Sequence, residues 1–299
     1  MKKQFVALAV TLAIASLANA QATDTIAKVK ASGAVTMGVR DSSGALSYTL
    51  GDGKYTGYHV EICQAIVANL EKAVGKKVAI TYQAVTSQNR IPLVQNGTVD
   101  IECGSTTNNA TRQKDVAFAS TTFVEEVRIA VKANSGITSI SQLNGKNVAT
   151  TTGTTSVQTL RKNERANGID FKEVYGKDHA ESFLLLESGR ADAFVMDGSI
   201  LAGNIANSKN PADYKIVGEV LSVEPIAIMM RKDDPAFKKL ADETIAGLAK
   251  SGALAKLYDK WFMQAIPPKN TKVGLAASDG IKAAWATPND KPMEDYAKK

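Results

Sequence analysis

The stretch NVATTTGTTSVQTLRKNERANGIDFKEVYGKDHAESFLLLESGRADAFVMDG, residues 147–198, decides the fold class. NVATTTG (147–153) predicts a strand running into a Thr/Gly turn. TSVQTLRKNERANG (155–168) predicts a helix with a glycine stop. FKEVYG (171–176) is the next strand, HAESFLLLESGR (179–190) the next helix, and ADAFVMDG (191–198) a third strand with Asp197 at its C-terminal end. Strands alternating with helices imply α/β units with largely parallel sheets.

The pattern extends both ways from there. Downstream come a helix at SILAGNIANS (199–208), strands at YKIVGEV (214–220) and EPIAIMMRKDD (224–234), and a long amphipathic region over 235–262, predicted to be two helices broken near Ser251-Gly252. The tail after Pro267-Pro268 reads as less regular. Upstream, GAVTMGVR (33–40) is a buried strand ending in an arginine, and YHVEICQAIVANLEKAV (58–74) is a helix with Gly75 as its C-cap. KVAITYQAV (77–85) alternates like a strand, SQNRIPLVQNG (87–97) is a short helix, TVDIECG (98–104) a short strand, NATRQKDVAFA (109–119) a polar turn or short helix, and EEVRIAVKA (125–133) a strand leaving this first unit. Two such units of about a hundred residues each are two α/β lobes. Ligands of open α/β sheets bind beyond the carboxyl ends of the strands, which places the site in the cleft between the lobes.

Composition narrows the class. Of 299 residues, 44% are hydrophobic and 22% charged, too polar for a polytopic membrane protein and too apolar for a disordered chain. The net charge of +6 is spread among acids, with no five-residue basic run and no aromatics interleaved with arginines, so nucleic-acid binding is not expected. Met1 to Ala20 has a basic start at Lys2 and Lys3, an apolar run from Phe5 to Leu17, and the small-x-small triplet Ala18-Asn19-Ala20. It reads as a cleaved signal peptide, the competing reading being an uncleaved anchor. The mature chain is then expected to start at Gln21 in a bacterial periplasm. The two cysteines, Cys63 on a helix and Cys103 at a strand end, pair if that helix covers that strand, and otherwise remain two buried thiols. With two histidines and no metal-ligand spacing, neither a metal nor a cofactor is expected.

Polar residues collect at the strand ends. Arg40, Ser87 and Arg90 of the SQNR segment, Ser105, Thr107 and Arg112 of GSTTNNATR, Thr152 and Thr155 of TTGTTS, His179 and Asp197 all fall there. Guanidinium forks suit carboxylates, helix N-termini favour anions, and an isolated carboxylate suits an ammonium. A ligand with two carboxylates and one amine satisfies the set. Taken singly, each has a plainer reading: Asp197 before Gly198 can cap a helix, and one arginine can sit in a surface ion pair.

VTSQNRIPLVQNGTVDIECGSTTNNATRQKDVAFASTTF (85–123), KDHAESFLLLESGRADAFVMDGSILAG (177–203), the segment 231–262 and IPPKN (266–270) closely resemble the periplasmic glutamate/aspartate-binding proteins of ABC transporters, within the polar amino-acid solute-binding proteins of family 3. The resemblance implies the type II two-lobe fold with two crossover strands: lobe 1 from 21–127 and 223–299, lobe 2 from 128–222. It implies that Arg112, Ser105, Thr107 and Thr155 clamp an α-carboxylate, with Thr152 in the same turn. Asp197 would take the α-ammonium. Arg40, Arg90 and His179 would receive the side-chain carboxylate, with Ser87 a further polar contact. It also implies capture of L-glutamate or L-aspartate by lobe closure, delivery to an inner-membrane ABC permease, and a monomer. The alternatives are a binder of another dicarboxylate, or a cleft enzyme resembling cyclohexadienyl dehydratases. No nucleophile–base pair or metal set favours an enzyme.

Overall fold

The computed structural model describes residues 24–296, so the expected leader over 1–20 lies outside the described residues. In chain order the elements begin with α1 (Thr25–Ser32), β1 (Ala34–Val39), β2 (Ser42–Ser43), β3 (Ser47–Gly51), β4 (Lys54–Thr56), α2 (Tyr58–Val74), β5 (Ala79–Ala84), α3 (Arg90–Gln95), β6 (Ile101–Glu102) and β7 (Val116–Phe118). They continue with β8 (Phe123–Lys132), β9 (Asn147–Thr151), α4 (Thr155–Asn167), β10 (Lys172–Gly176), α5 (His179–Glu187), β11 (Ala193–Asp197), α6 (Gly198–Asn207) and β12 (Tyr214–Ile226). The chain returns through β13 (Met229–Arg231), α7 (Pro235–Lys250), α8 (Ala253–Tyr258), β14 (Ala265–Ile266), β15 (Thr271–Lys272), α9 (Asp279–Ala286) and α10 (Met293–Tyr296).

Two five-stranded sheets form the lobes. The first has the order β5-β1-β6-β13-β7, the second β10-β9-β11-β8-β12. In each, three strands run parallel and two are antiparallel to their neighbours. The antiparallel pair β8 and β12 is also the connection between lobes. Glu125 faces Glu224 across it, and Phe123 faces Ile226. The two-lobe α/β reading holds, with sheets less uniformly parallel than the alternation predicts.

Local sequence explains the elements. Helix α2 buries Ile62, Cys63, Ile66, Val67, Leu70 and Val74 along one face, the i, i+3, i+4 spacing of an amphipathic helix. Each such side chain contributes about 1.5–3 kcal/mol by leaving water. Gly75, at φ 74°, ends the helix with its N–H on the Glu71 carbonyl. That face lies on the first sheet and puts Cys63 over the end of β6, where it forms a disulfide with Cys103 at a Cα–Cα distance of 6.3 Å. A link across 40 residues stabilises by roughly 4 kcal/mol through the unfolded chain's lost entropy. Tyr58, Phe123, Tyr258 and Phe262 pack ring against ring beside it.

Four expectations are corrected. The polar turn over 109–119 contains a strand, β7, whose Val116 and Phe118 are buried. The strands expected at 214–220 and 224–234 are one long strand, β12, kinked by a register shift between Val217 and Ser222, followed by the separate β13. The strand expected over 98–104 is shorter, β6 spanning Ile101–Glu102, with Asp100 N–H and Cys103 N–H on either side still bonded to the Thr36 and Gly38 carbonyls of β1. The tail expected to be less regular holds β14, β15, α9 and α10 through Tyr296. Ser278 caps α9, whose Ile281 and Ala284 are buried against the first core, and Met293 N–H bonds the Asn108 carbonyl at 2.9 Å. The tail thereby braces the loop that carries Thr107.

Candidate ligand-binding cleft

Every predicted site residue stands at the carboxyl end of a strand, in the loop after it or at the start of the helix that follows. Arg40 follows β1, Ser87 follows β5, and Arg90 opens α3. Ser105, Thr107 and Arg112 lie between β6 and β7. Thr152 follows β9, Thr155 opens α4, His179 opens α5, and Asp197 ends β11. Both sheets aim these ends at one another, so a single cleft collects them.

The deepest cluster is built on Arg40, which is 1% exposed. Its Nη2 donates to Ser87 Oγ at 2.9 Å and to His179 Nε2 at 3.2 Å, and its Nη1 donates to Ser105 Oγ at 3.4 Å. A guanidinium only donates, so His179 Nε2 is the acceptor and its proton sits on Nδ1. That Nδ1–H reaches Thr151 Oγ1 at 3.0 Å. Thr151 Oγ1 stands 2.8 Å from Ser182 Oγ, which donates to the Asp178 carbonyl at 2.9 Å. The chain of donors has one direction and fixes the ring. Burial, with Arg40 and Arg90 nearby, holds His179 well below the usual imidazole range, so it is neutral.

Arg90, 2% exposed, donates from Nη1 to the Ser105 carbonyl at 3.3 Å. Arg112 donates from Nη1 to the Thr107 carbonyl at 2.9 Å and from Nη2 across the cleft to the Gly153 carbonyl at 3.4 Å. Burial lowers Arg40 to about 10 and Arg112 to about 9, with Arg90 adding repulsion to both. Among the described residues no carboxylate lies at ion-pair distance from any of the three. Ser105 groups with Arg40 and Ser43 rather than beside the Arg112 fork. Thr152 is half-buried and its hydrogen bond is main-chain, N–H to the Gly176 carbonyl at 3.1 Å. It lines a cavity of about 700 Å³ at the mouth, with Ser87, Arg112 and Thr155.

The sequence reading placed one acid among these cations, and the structure adds three. Glu224 of β12 is fully buried and accepts from Thr107 Oγ1 and Thr155 Oγ1, each at 2.6 Å, and from Ser222 Oγ at 2.8 Å. Glu102 accepts from Thr106 Oγ1 at 2.8 Å. Glu125 accepts from the side chain and N–H of Ser199, and burial lifts its carboxyl to about 7. Asp197 makes no side-chain capping bond to α6. Burial, followed by the charges of Glu125 and Glu224, raises its carboxyl well above the usual range. Among the described residues, three buried side-chain atoms of the cleft have no hydrogen-bond partner: Arg90 Nε, Glu102 Oε1 and Asp197 Oδ1. Such atoms are costly, and one donor with two acceptors fits a ligand carrying both signs of charge.

The lobes are closed on each other. A Cβ added to Gly153 would lie 2.9 Å from the backbone of Gln88, and one added to Gly44 would lie 3.1 Å from the Ser199 carbonyl. Ala180 N–H also crosses to Ser42 Oγ at 3.2 Å.

Two α/β lobes closed over a buried, charge-bearing cleft define a solute-binding protein. Residues 35–264 match the bacterial extracellular solute-binding proteins, family 3, and the chain belongs to that family. A "Glutamate/aspartate import solute-binding protein" of Escherichia coli (strain K12) is 44% identical over 288 residues, 96% of this chain and 95% of that one. An "L-glutamate/L-aspartate-binding protein" of Pseudomonas aeruginosa is 44% identical over 275 residues, 91% of each. Among solved structures, the P235GK mutant of ArgBP from T. maritima superposes with a TM-score of 0.71 at 28% identity, covering 80% of this chain and 99% of that one. The relatives are binding proteins by name, and this chain is a binding protein rather than an enzyme. No helix among the described residues is long and apolar enough to cross a membrane.

Proposed function

We propose that the protein captures L-glutamate and L-aspartate in the periplasm, closes its lobes over them and delivers them to an inner-membrane ABC importer. The relatives named for glutamate and aspartate import support this reading. The observation that carries it is the set of three buried arginines with no ion-paired carboxylate among the described residues, standing with an Asp197 oxygen that has no partner among them. Burying charge is costly unless it is paired. A dicarboxylic amino acid supplies two anions to the arginines and one ammonium to Asp197.

In this reading Arg112, with the main-chain N–H groups of Thr107 and Thr155, holds the α-carboxylate and Asp197 the ammonium, the two threonine hydroxyls being taken by Glu224. Arg40 and Arg90 hold the side-chain carboxylate, with Ser87, Ser105 and His179 orienting Arg40. Thr152 contributes at the rim. The moving units are 21–127 with 223–299, and 128–222. The protein acts as a monomer exported by its first twenty residues, and it binds no nucleic acid. Calorimetric titration of the ligand-stripped mature protein with L-glutamate, L-aspartate, L-glutamine and L-arginine tests the reading. Tight binding of the first two alone is the expected result. Equal binding of glutamine, or binding of none, overturns it.

A further inference from the structure

Glu224 has no place in the ligand roles above, yet it is the only described carboxylate bonded to both sides of the cleft. It rides on the crossover strand β12, at 0% exposure. Its Oε2 accepts from Thr107 of the first lobe and Thr155 of the second, both at 2.6 Å, the length of charge-assisted O–H···O⁻ bonds. A threonine hydroxyl has one proton. With both protons directed to Glu224, the 3.2 Å contact between the two threonine oxygens has no proton between them and is repulsive by itself. The shared carboxylate is what draws them together. Ser222 Oγ fixes the other oxygen at 2.8 Å, and the facing Glu125 is satisfied separately by Ser199.

We infer that Glu224 is an interlobe latch: a positioning residue on the hinge that ties Thr107 to Thr155 only in the closed form and so sets how slowly the ligand leaves. The inference rests on the binding reading for its ligand and on the geometry for its mechanism. An interaction made only after closure lowers the dissociation rate and leaves encounter unchanged.

The test is stopped-flow binding of L-glutamate to wild type, Glu224→Gln, Thr155→Val and the double variant, with X-ray scattering of each ligand-free protein. The latch predicts that Glu224→Gln dissociates at least tenfold faster with an association rate within twofold of wild type. It also predicts a larger radius of gyration, and that Glu224→Gln has little further effect once Thr155 is valine. A merely destabilising change would alter the active fraction and the melting temperature, not this rate split. Thr155→Val removes a single donor and serves if Glu224→Gln fails to fold. Unchanged dissociation and scattering, or fully independent effects of the two substitutions, would overturn the latch. If wild type ignores L-glutamate while Glu224→Gln still expands the ligand-free protein, the latch stands and the ligand assignment falls.

Discussion

Arg90 is the residue on which the acidic-ligand reading turns. Its guanidinium is buried, held by one bond to the Ser105 carbonyl, with Nε unpartnered. Arg90→Ala is expected to weaken L-glutamate by about 2–5 kcal/mol, thirty-fold or more, because a buried carboxylate loses its charged partner. A neutral ligand such as L-glutamine loses far less. Titration of both ligands against wild type checks this, and equal losses would deny the side-chain role. Glu125 gives a prediction in pH. Burial raises its folded carboxyl from 4.5 to about 7, the Glu224 charge adding to this against the Ser199 bonds. A raised carboxyl favours the protonated folded form, so its contribution is full below about 4.5 and is lost as pH rises through about 7. Glu125→Gln does not titrate. Its unfolding free energy relative to wild type should therefore rise by up to roughly 3 kcal/mol between those limits and then level off. A difference that stays flat across that range would refute the assignment. The arginines, His179 and Asp197 were legible in the sequence because each falls at a strand's carboxyl end or in the segment that follows one. Glu102, Glu125 and Glu224 were not. A glutamate in a strand reads as solvent-facing, and the hydroxyls that satisfy these come from elements up to 117 residues away.

At the scale of elements, helices were read more accurately than strands. The bounds of α2 coincide with the spacing of its apolar residues, and α7 and α8 break at Ser251-Gly252 as expected. The strand β7 was missed because three residues carry too short an alternation, and its burial is decided by β13, over a hundred residues later. The turn after β9 carries a sharper consequence. Gly153 has φ +82° and faces the Gln88 backbone across the cleft, whereas Gly136 has φ +72° with nothing within 4 Å of its added Cβ. Both →Ala substitutions carry the left-handed strain, of order 1–2 kcal/mol, but only Gly153→Ala obstructs closure. Gly153→Ala should raise the Kd for L-glutamate at least tenfold, while Gly136→Ala leaves it within twofold. Equal affinities in the two variants would mean that the lobes do not need this approach.

For the whole molecule, the two lobes differ in how the chain supplies them. The second sheet draws all its strands from one continuous stretch, 123–226, whereas the first needs β13 inserted between β6 and β7 after the chain has come back. The tail over 279–296 then closes on the first lobe through Ile281, Ala284 and the Asn108 carbonyl. Sequence separation slows pairing, so the two halves should acquire structure at different times. On refolding from denaturant with the disulfide intact, pulse-labelled amides of β9, β10 and β11 are expected to gain protection before those of β6 and β7. The opposite order would contradict it. A chain that leaves its source N-terminus first thus finishes its middle before its beginning. Until residue 231 arrives, β6 keeps a bare edge, and that interval is when the protein is most exposed to aggregation and proteolysis.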